Sequence, residues 1–170
     1  MDVFPSYVEA LRNGHKRGAA DIKTKKEIEL IANDAKNYLQ SLNEQGGTFT
    51  APDGTVFQKV PYEVLWLVCN GVFIGDVSLR LELNPFLEMI GGHIGYGIRP
   101  CFQKQGLGTL ILELSKQRAK SKGLKKVLVT CRLDNDASRK IITKNGGVYL
   151  DILENPYGFG SRERYWITVM

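Results

Sequence analysis

The segment that most constrains this chain is Gln103-Lys104-Gln105-Gly106-Leu107-Gly108-Thr109, a glycine-bearing turn. It follows a glycine-rich strand, Gly91 to Arg99, that Pro100 ends. It precedes a helix predicted over Gln105 to Ser121, with Leu107, Leu110, Ile111 and Leu114 on one stripe. A short apolar strand, Lys125 to Cys131, and a second helix, Asn135 to Lys144, come next. A strand–helix–strand unit of this kind implies a parallel pair with a right-handed crossover.

The flanking sequence adds antiparallel partners. Glu63 to Cys69, then Asn70-Gly71, then Val77, Leu79, Leu81 and Leu83 alternating with Ser78, Arg80 and Glu82 read as a hairpin. Its turn is the type I′ kind, in which both central residues need positive φ. Asn84-Pro85 ends the return strand, and Asn84 to Ile90 reads as a loop. Val148 to Leu153 and Arg164 to Val169 are two closing strands around the loop Glu154 to Arg162, which holds Pro156. Upstream, Ser6 to Asn13 is a short helix and Gly14 to Asp21 a polar loop. Thr24-Lys25-Lys26-Glu27 is a capping box. The helix behind it carries Ile28, Ile31, Ala35, Tyr38, Leu39 and Leu42 and stops at Gly46-Gly47. Two short strands, Thr48–Thr50 and Thr55–Phe57, flank a turn. The expected fold class is α/β (α+β): a mixed, mostly antiparallel central sheet with a splayed parallel strand pair and flanking helices. The expected organisation is one domain over 1–170. It divides into a helical part (1–46), antiparallel strands (47–90), a core (91–147) and closing strands (148–170).

Composition narrows the classes. The chain has 170 residues, 43% of them hydrophobic and 24% charged, which fits a globular domain rather than disorder. The longest apolar run, Val64 to Cys69, is far short of the roughly 20 residues a membrane span needs. The first residues show no secretory signal. Cys69, Cys101 and Cys131 form no C-x-x-C pair, and the two histidines, His15 and His93, lie far apart, so no metal site is expected. A reducing, cytoplasmic location is the default. The net charge of +5 suits an anionic ligand, a nucleic-acid partner or a solvated surface alike. The basic cluster Lys116, Arg118, Lys120, Lys122, Lys125 and Lys126 reads as a solvated face, with cations near a helix C-terminus, rather than a nucleic-acid site.

The turn itself carries chemistry. A helix start leaves backbone N–H groups unpaired and bears about half a positive charge, and glycines let a phosphate approach without a Cβ in the way. The same glycines also suit tight helix–sheet packing. Neither G-x-x-x-x-G-K-[ST] nor G-x-G-x-x-G is present at this turn. A Q/R-x-x-G-x-G/A turn after a glycine-bearing strand and before β-α-β resembles the GNAT N-acetyltransferase superfamily, from about Gly71 to Val169 and most strongly from Gly91 to Gly147.

The resemblance implies acetyl-CoA as co-substrate. Backbone amides of Gln105 to Thr109, with Gln103 and Lys104, would hold the pyrophosphate: the segment Gln103, Lys104, Gln105, Gly106, Leu107, Gly108 and Thr109. Asn135-Asp136-Ala137-Ser138 is similar to the family's N-x-x-A/S segment, which assigns Asn135 to the pantetheine arm with Ser138 nearby. Backbone N–H groups at Gly97–Arg99, hence Ile98 and Arg99, would form an oxyanion hole. Arg139, Lys140 and Lys144 are candidates for the 3′-phosphate. His93 and Glu82 are the candidate catalytic bases, with Glu88 behind them. The position of the family's acidic tyrosine is Ile142 here, so Tyr96, Tyr149 and Tyr165 are the alternatives for protonating the CoA thiolate. The expected partner is a small-molecule or peptide amine acceptor, with no nucleic acid and no membrane; the closing strands offer an edge for a homodimer. A non-catalytic CoA-binding module and a basic nucleic-acid-binding domain are the competing classes.

Overall fold

The computed structural model describes residues 2–18, 20–154 and 157–169. Pro156, expected in the loop between the closing strands, lies outside the described residues. The chain opens with α1 (Phe4–Arg12), α2 (Lys25–Asn33) and α3 (Ala35–Ser41). The capping box forms as read: Thr24 Oγ1 accepts from the Glu27 amide, and Glu27 reaches back to the Thr24 amide. The single long helix expected after it is instead two. Asp34 leaves helical backbone at φ −136° and caps α3 by accepting from the Asn37 amide, as short aspartates do at helix starts.

Next come β1 (Thr48–Thr50) and β2 (Val56–Gln58), an antiparallel pair, and the long hairpin β3 (Tyr62–Cys69) and β4 (Val72–Arg80). Asn70 and Gly71 take φ of 48° and 76°, the positive pair that the type I′ turn requires. β4 ends at Arg80, earlier than the alternation suggests. The stretch read as a loop holds α4 (Pro85–Met89), with Asn84 accepting from the Leu87 amide as its cap. β5 (Ile94–Ile98) pairs antiparallel with β4, closing a sheet of order β3-β4-β5. After a short 3-10 turn come α5 (Leu107–Ser121), β6 (Lys126–Arg132), α6 (Asp136–Lys144), β7 (Val148–Leu153) and β8 (Arg162–Thr168). β8 lies between β6 and β7 in the second sheet.

One hydrophobic core joins the two sheets. Val77, Leu79 and Ile94 from the first meet Val127, Val129 and Ile167 from the second, under Leu112 of α5 and Ile142 of α6. Burial of this kind contributes roughly 25 cal/mol per Å² of apolar surface and is the main force holding the sheets together. A second cluster seats α1 on β4 through Tyr7, Trp66 and Phe73. A third packs Phe49 and Phe57 onto Phe86 of α4.

The parallel pair β5/β6 is not a continuous ladder. The two strands are clasped where β5 begins: the His93 amide donates to the Leu128 carbonyl (2.7 Å), the Leu128 amide donates to His93 Nδ1 (2.9 Å), and the Gly91 amide donates to Thr130 Oγ1 (2.9 Å). Beyond the clasp the strands separate, and the gap becomes the principal cavity. Among the described residues no helix is long and apolar enough to cross a membrane.

Candidate active site

The cavity has a volume of about 700 Å³, within the usual range for small-molecule sites. It is lined by β5 on one side, by Thr130, Cys131 and Arg132 of β6 on the other, and by Asn135, Ser138 and Ile141 at the start of α6. Strand geometry fixes which groups face it. The Arg99 amide donates to the Ile74 carbonyl of β4, so the alternate residues Ile94, Tyr96 and Ile98 turn their backbone groups away from β4, toward the gap. Two of those carbonyls are already used: Tyr96 O accepts from the Gly18 amide (3.0 Å) and Ile98 O from Gln103 Nε2 (3.1 Å). The amides of Tyr96 and Ile98 have no partner among the described residues.

The turn leading into α5 has the features of an anion cradle. Gly106 is its N-cap at φ 81°, a left-handed conformation that favours glycine, and a Cβ there would meet nothing within 4 Å. Lys104 also takes positive φ, 62°. The amides of Gln105, Gly106, Leu107 and Gly108 donate to no acceptor among the described residues, whereas the Thr109 amide bonds the Gly106 carbonyl (3.0 Å). Four free donors at the positive end of a 15-residue helix suit a phosphate. Gly108 serves packing, lying against Ile141 of α6.

The other expected site residues divide. Asn135 caps α6, its Oδ1 accepting from the Ser138 amide (3.0 Å). Its amide nitrogen, with no partner among the described residues, stays available at the cavity edge. Ser138 Oγ lies 3.0 Å from the Tyr96 hydroxyl, which joins α6 to β5 across the cavity. Burial pushes the Tyr96 phenol up to about 12, so it is protonated at neutral pH. Tyr96 is the tyrosine of the three candidates that lines the cavity. Tyr149 is exposed on β7, and Tyr165 is buried with its hydroxyl on Glu163. Ile142 is wholly buried in the core.

Several expectations are corrected. The Arg99 side chain turns away from the cavity to α1, where it pairs with Glu9 (3.0 Å) and donates to Ser6 Oγ (3.2 Å), and its amide is spent on β4. Of the Gly97–Arg99 amides, the one that faces the gap is Ile98. Arg139 is paired with Glu163 (2.8 Å) and Asp136; Lys140 and Lys144 are exposed. Glu82 is exposed beyond the end of β4 and does not line the cavity. Glu88 is likewise exposed on α4.

His93 is buried at the clasp, also outside the cavity. Its Nδ1 lone pair is occupied by the Leu128 amide, so taking up a proton there would break one of the three hydrogen bonds of the clasp. Burial, and then the Arg80 charge, lower its pKa to about 4. The histidine is a clasp rather than a base. A pH effect follows. The unfolded chain protonates His93 near its ordinary value of 6.5 and the folded one near 4. Between those values the unfolded state binds more protons, so stability rises with pH and is lost as pH falls from about 6.5 toward 4. In His93→Gln the amide oxygen keeps an acceptor for Leu128 without titrating. The melting temperature of the variant should therefore fall less steeply than that of the parent over this window; parallel curves would show that His93 is not held neutral.

The N-terminal segment enters the site in a way that the sequence did not disclose. The loop between α1 and α2 lies on β5. Its Gly18 amide bonds Tyr96 O, and a Cβ on Gly97 would run into the Lys16 carbonyl. Gly97 therefore admits this loop, not only a ligand. The loop is anchored by Asp76 of β4, a buried carboxylate that accepts from Arg17 (3.1 Å) and meets His15 Nε2 (3.0 Å). The signal in the sequence that points to it is the pair Gly95 and Gly97, with a loop that has its own glycines, Gly14 and Gly18.

Among the described residues no carboxylate and no histidine lines the cavity, while Lys16, Arg17, Lys59, Arg80, Arg132 and Arg162 do. No group of three His, Cys, Asp or Glu among them is placed to hold a metal ion. The basic cluster of α5 and β6 is largely spent on partners: Lys116 on Glu113, Arg118 and Lys122 on Glu63, and Lys126 over the Trp166 ring.

Comparison with known proteins agrees with this geometry. Residues 30–148 match the model of the acetyltransferase (GNAT) domain. Among solved structures, the putative acetyltransferase YncA of Salmonella typhimurium, determined with acetyl-CoA, superposes with a TM-score of 0.54 at 15% identity, covering 99% of this chain and 87% of that one. An acetyltransferase of Salmonella typhimurium that modifies the N-terminal serine of ribosomal protein L7/L12 gives 0.60 at 12% identity, over 97% and 88%. The ribosomal-protein-S18-alanine N-acetyltransferase of Escherichia coli gives 0.56 at 15%, over 98% and 87%. A search of curated protein sequences found no match.

Proposed function

Because the chain belongs to the GNAT acetyltransferase family, we propose that it transfers the acetyl group of acetyl-CoA to a primary amine in the cavity between β5 and β6. The observation that carries this reading is the row of four unpartnered amides, Gln105 to Gly108, at the start of the helix that follows β5, just beyond Gln103 of the cavity lining. In this reading the amides, with Lys104, hold the pyrophosphate. Asn135 Nδ2 and the Tyr96 amide bond the pantetheine arm, and Gln103 braces the strand end.

Transfer needs a neutral amine, a place for negative charge on the carbonyl oxygen, and a proton for the departing sulfur. The cationic lining disfavours an ammonium ion beside it, so the acceptor gives its proton to water without a carboxylate base. The Ile98 amide receives the charge that develops on the thioester oxygen. The amine nitrogen forms its bond to carbon and gives its surplus proton to water, the carbon–sulfur bond breaks, and the Tyr96 hydroxyl gives its proton to sulfur and regains one through Ser138 and solvent. Two of the solved neighbours act on ribosomal proteins, which keeps protein N-termini beside small amines, amino acids and antibiotics as acceptors. The chain acts in this reading as one domain, and the edge strand β7, which exposes Val148, Tyr149 and Ile152, is where a second copy would add.

The test is release of free thiol from acetyl-CoA across a panel of amines. Amine-dependent release supports transfer. Binding of CoA without release on any amine favours a non-catalytic CoA-binding module, a reading that Ile142 in place of the usual tyrosine would suit.

A further inference from the structure

Resting on the transfer reading above, we propose that the acceptor is an amine that also carries a carboxylate beside an apolar body, and that Arg80 holds that carboxylate. The first observation is sign. Of the six cationic residues that line the cavity, Arg17 and Arg132 are paired with Asp76 and Asp134; Lys16, Lys59, Arg80 and Arg162 have no carboxylate among the described residues, and with no acid in the lining the field favours a ligand with negative charge.

The second observation is Arg80 itself. Most arginines of the chain have a carboxylate: Arg17 has Asp76, Arg99 has Glu9, Arg118 has Glu63, Arg139 has Glu163 and Arg164 has Asp151. Arg80 has none among the described residues. Its guanidinium spends Nη1 on two long bonds, to the carbonyls of Gly91 (3.3 Å) and Gly92 (3.4 Å). Nη2 and Nε have no partner there. The group is half-buried, and burial, followed by the Arg17 charge, lowers its pKa to about 10. An unpaired guanidinium on a cavity wall is open to an anion, and its planar fork matches a carboxylate through two parallel bonds.

Position is the third. Arg80 lies on β4 beside Ser78, and its Nη1 and Nη2 would be 3.5 and 3.8 Å from a Cβ at Gly95. Arg80, Gly95, Tyr96 and Ile98 line the same cavity, and a larger residue at Gly95 would meet the fork. Beyond it the wall turns apolar: Phe49, Phe86, Leu87, Ile90 and Phe159 line the same cavity. Phe86 packs edge-on to both Phe49 (4.6 Å between ring centroids) and Phe159 (5.6 Å). Charge at one end and aromatic surface at the other select an amphipathic acid rather than a sugar or a polyamine.

The experiment compares matched acceptors: leucine with leucinamide, phenylalanine with phenethylamine, and 6-aminohexanoate with hexylamine. For at least one pair, kcat/KM should favour the carboxylate by tenfold or more, and Arg80→Gln should bring that ratio close to one. Neutral members that equal or exceed the acids in every pair, or a ratio that survives Arg80→Gln, would overturn the proposal. Should Arg80→Gln not fold, the parent's own ratios decide. A second readout separates this proposal from the transfer reading: calorimetric binding of N-acetylleucine and N-acetylleucinamide, and likewise the other acetylated pairs, to protein loaded with CoA. Selective binding of an acetylated acid with no turnover of any amine would leave the carboxylate site standing and remove transfer. Failure of every acetylated acid to bind, together with no turnover, would overturn the site.

Discussion

Gly106→Glu should fold and lose its affinity for acetyl-CoA. The position has open space around it, so the new side chain meets no neighbour. Holding a non-glycine residue at φ 81° costs roughly 1–2 kcal/mol. An acidic side chain at a helix start returns up to about 1 kcal/mol of that. Far-UV circular dichroism should therefore be unchanged and the melting temperature only a few degrees lower. At the cradle the effect is much larger. A carboxylate placed about 4 Å from a phosphate in a partly screened site opposes it by roughly 4 kcal/mol. It also competes for the four free amides, each worth about 1 kcal/mol to an acceptor. Together these predict a rise in Kd of at least about 100-fold. Gly106→Asn, which tolerates left-handed backbone and adds no charge, should weaken binding far less. Equal losses in the two variants would assign the effect to backbone strain, and unchanged affinity in Gly106→Glu would move the pyrophosphate elsewhere.

Tyr96→Phe should leave acetyl-CoA affinity near that of the parent and lower kcat by roughly 100-fold, the lower end of what general acid catalysis contributes. The phenol is held protonated by burial, with its pKa at about 12, and its hydroxyl is 3.0 Å from Ser138 Oγ, so it is a donor at every pH of practical use. A thiolate is a moderate leaving group, so the benefit of protonating it is smaller than for an amine or alkoxide. Removing the hydroxyl costs the fold about 1 kcal/mol, one part-buried hydrogen bond. Ser138→Ala should cost less activity than Tyr96→Phe, because it leaves the donor in place and loses only its partner. A kcat that does not change in Tyr96→Phe would hand the proton to water.

Much of this was legible from the residues. The strand–turn–helix at Gly106, the hairpin turn at Asn70-Gly71 and the capping box at Thr24 are local devices, set by φ preferences and short-range hydrogen bonds, and each forms where the sequence indicates. The candidate bases were not legible. His93 alternates with Gly95 and Gly97 in the sequence, which puts the three on one face of a strand, but whether a histidine faces substrate or a neighbouring strand depends on which sheet edge lies opposite. Here that edge is Leu128, 35 residues away in the chain. Glu82 failed for a similar reason: the alternating pattern runs on past Arg80, but the partner strand does not. The α1–α2 loop left no mark because it contributes backbone, a carbonyl and an amide, rather than a recognisable side chain. Arg80 could be found by its type, but its lack of a carboxylate partner belongs to the tertiary structure.

The decisive measurement is a calorimetric titration of the unmodified protein with acetyl-CoA and, in parallel, with S-acetylpantetheine, which keeps the thioester and lacks the pyrophosphate. Acetyl-CoA should bind at one site and, at about 100 times its Kd, stabilise the fold by roughly 2.7 kcal/mol. S-acetylpantetheine should bind at least about 100-fold more weakly, because it leaves the α5 amides unpaired. No heat and no rise in melting temperature with acetyl-CoA, or equal affinity for the two thioesters, would mean that the helix start at Gly106 holds no diphosphate.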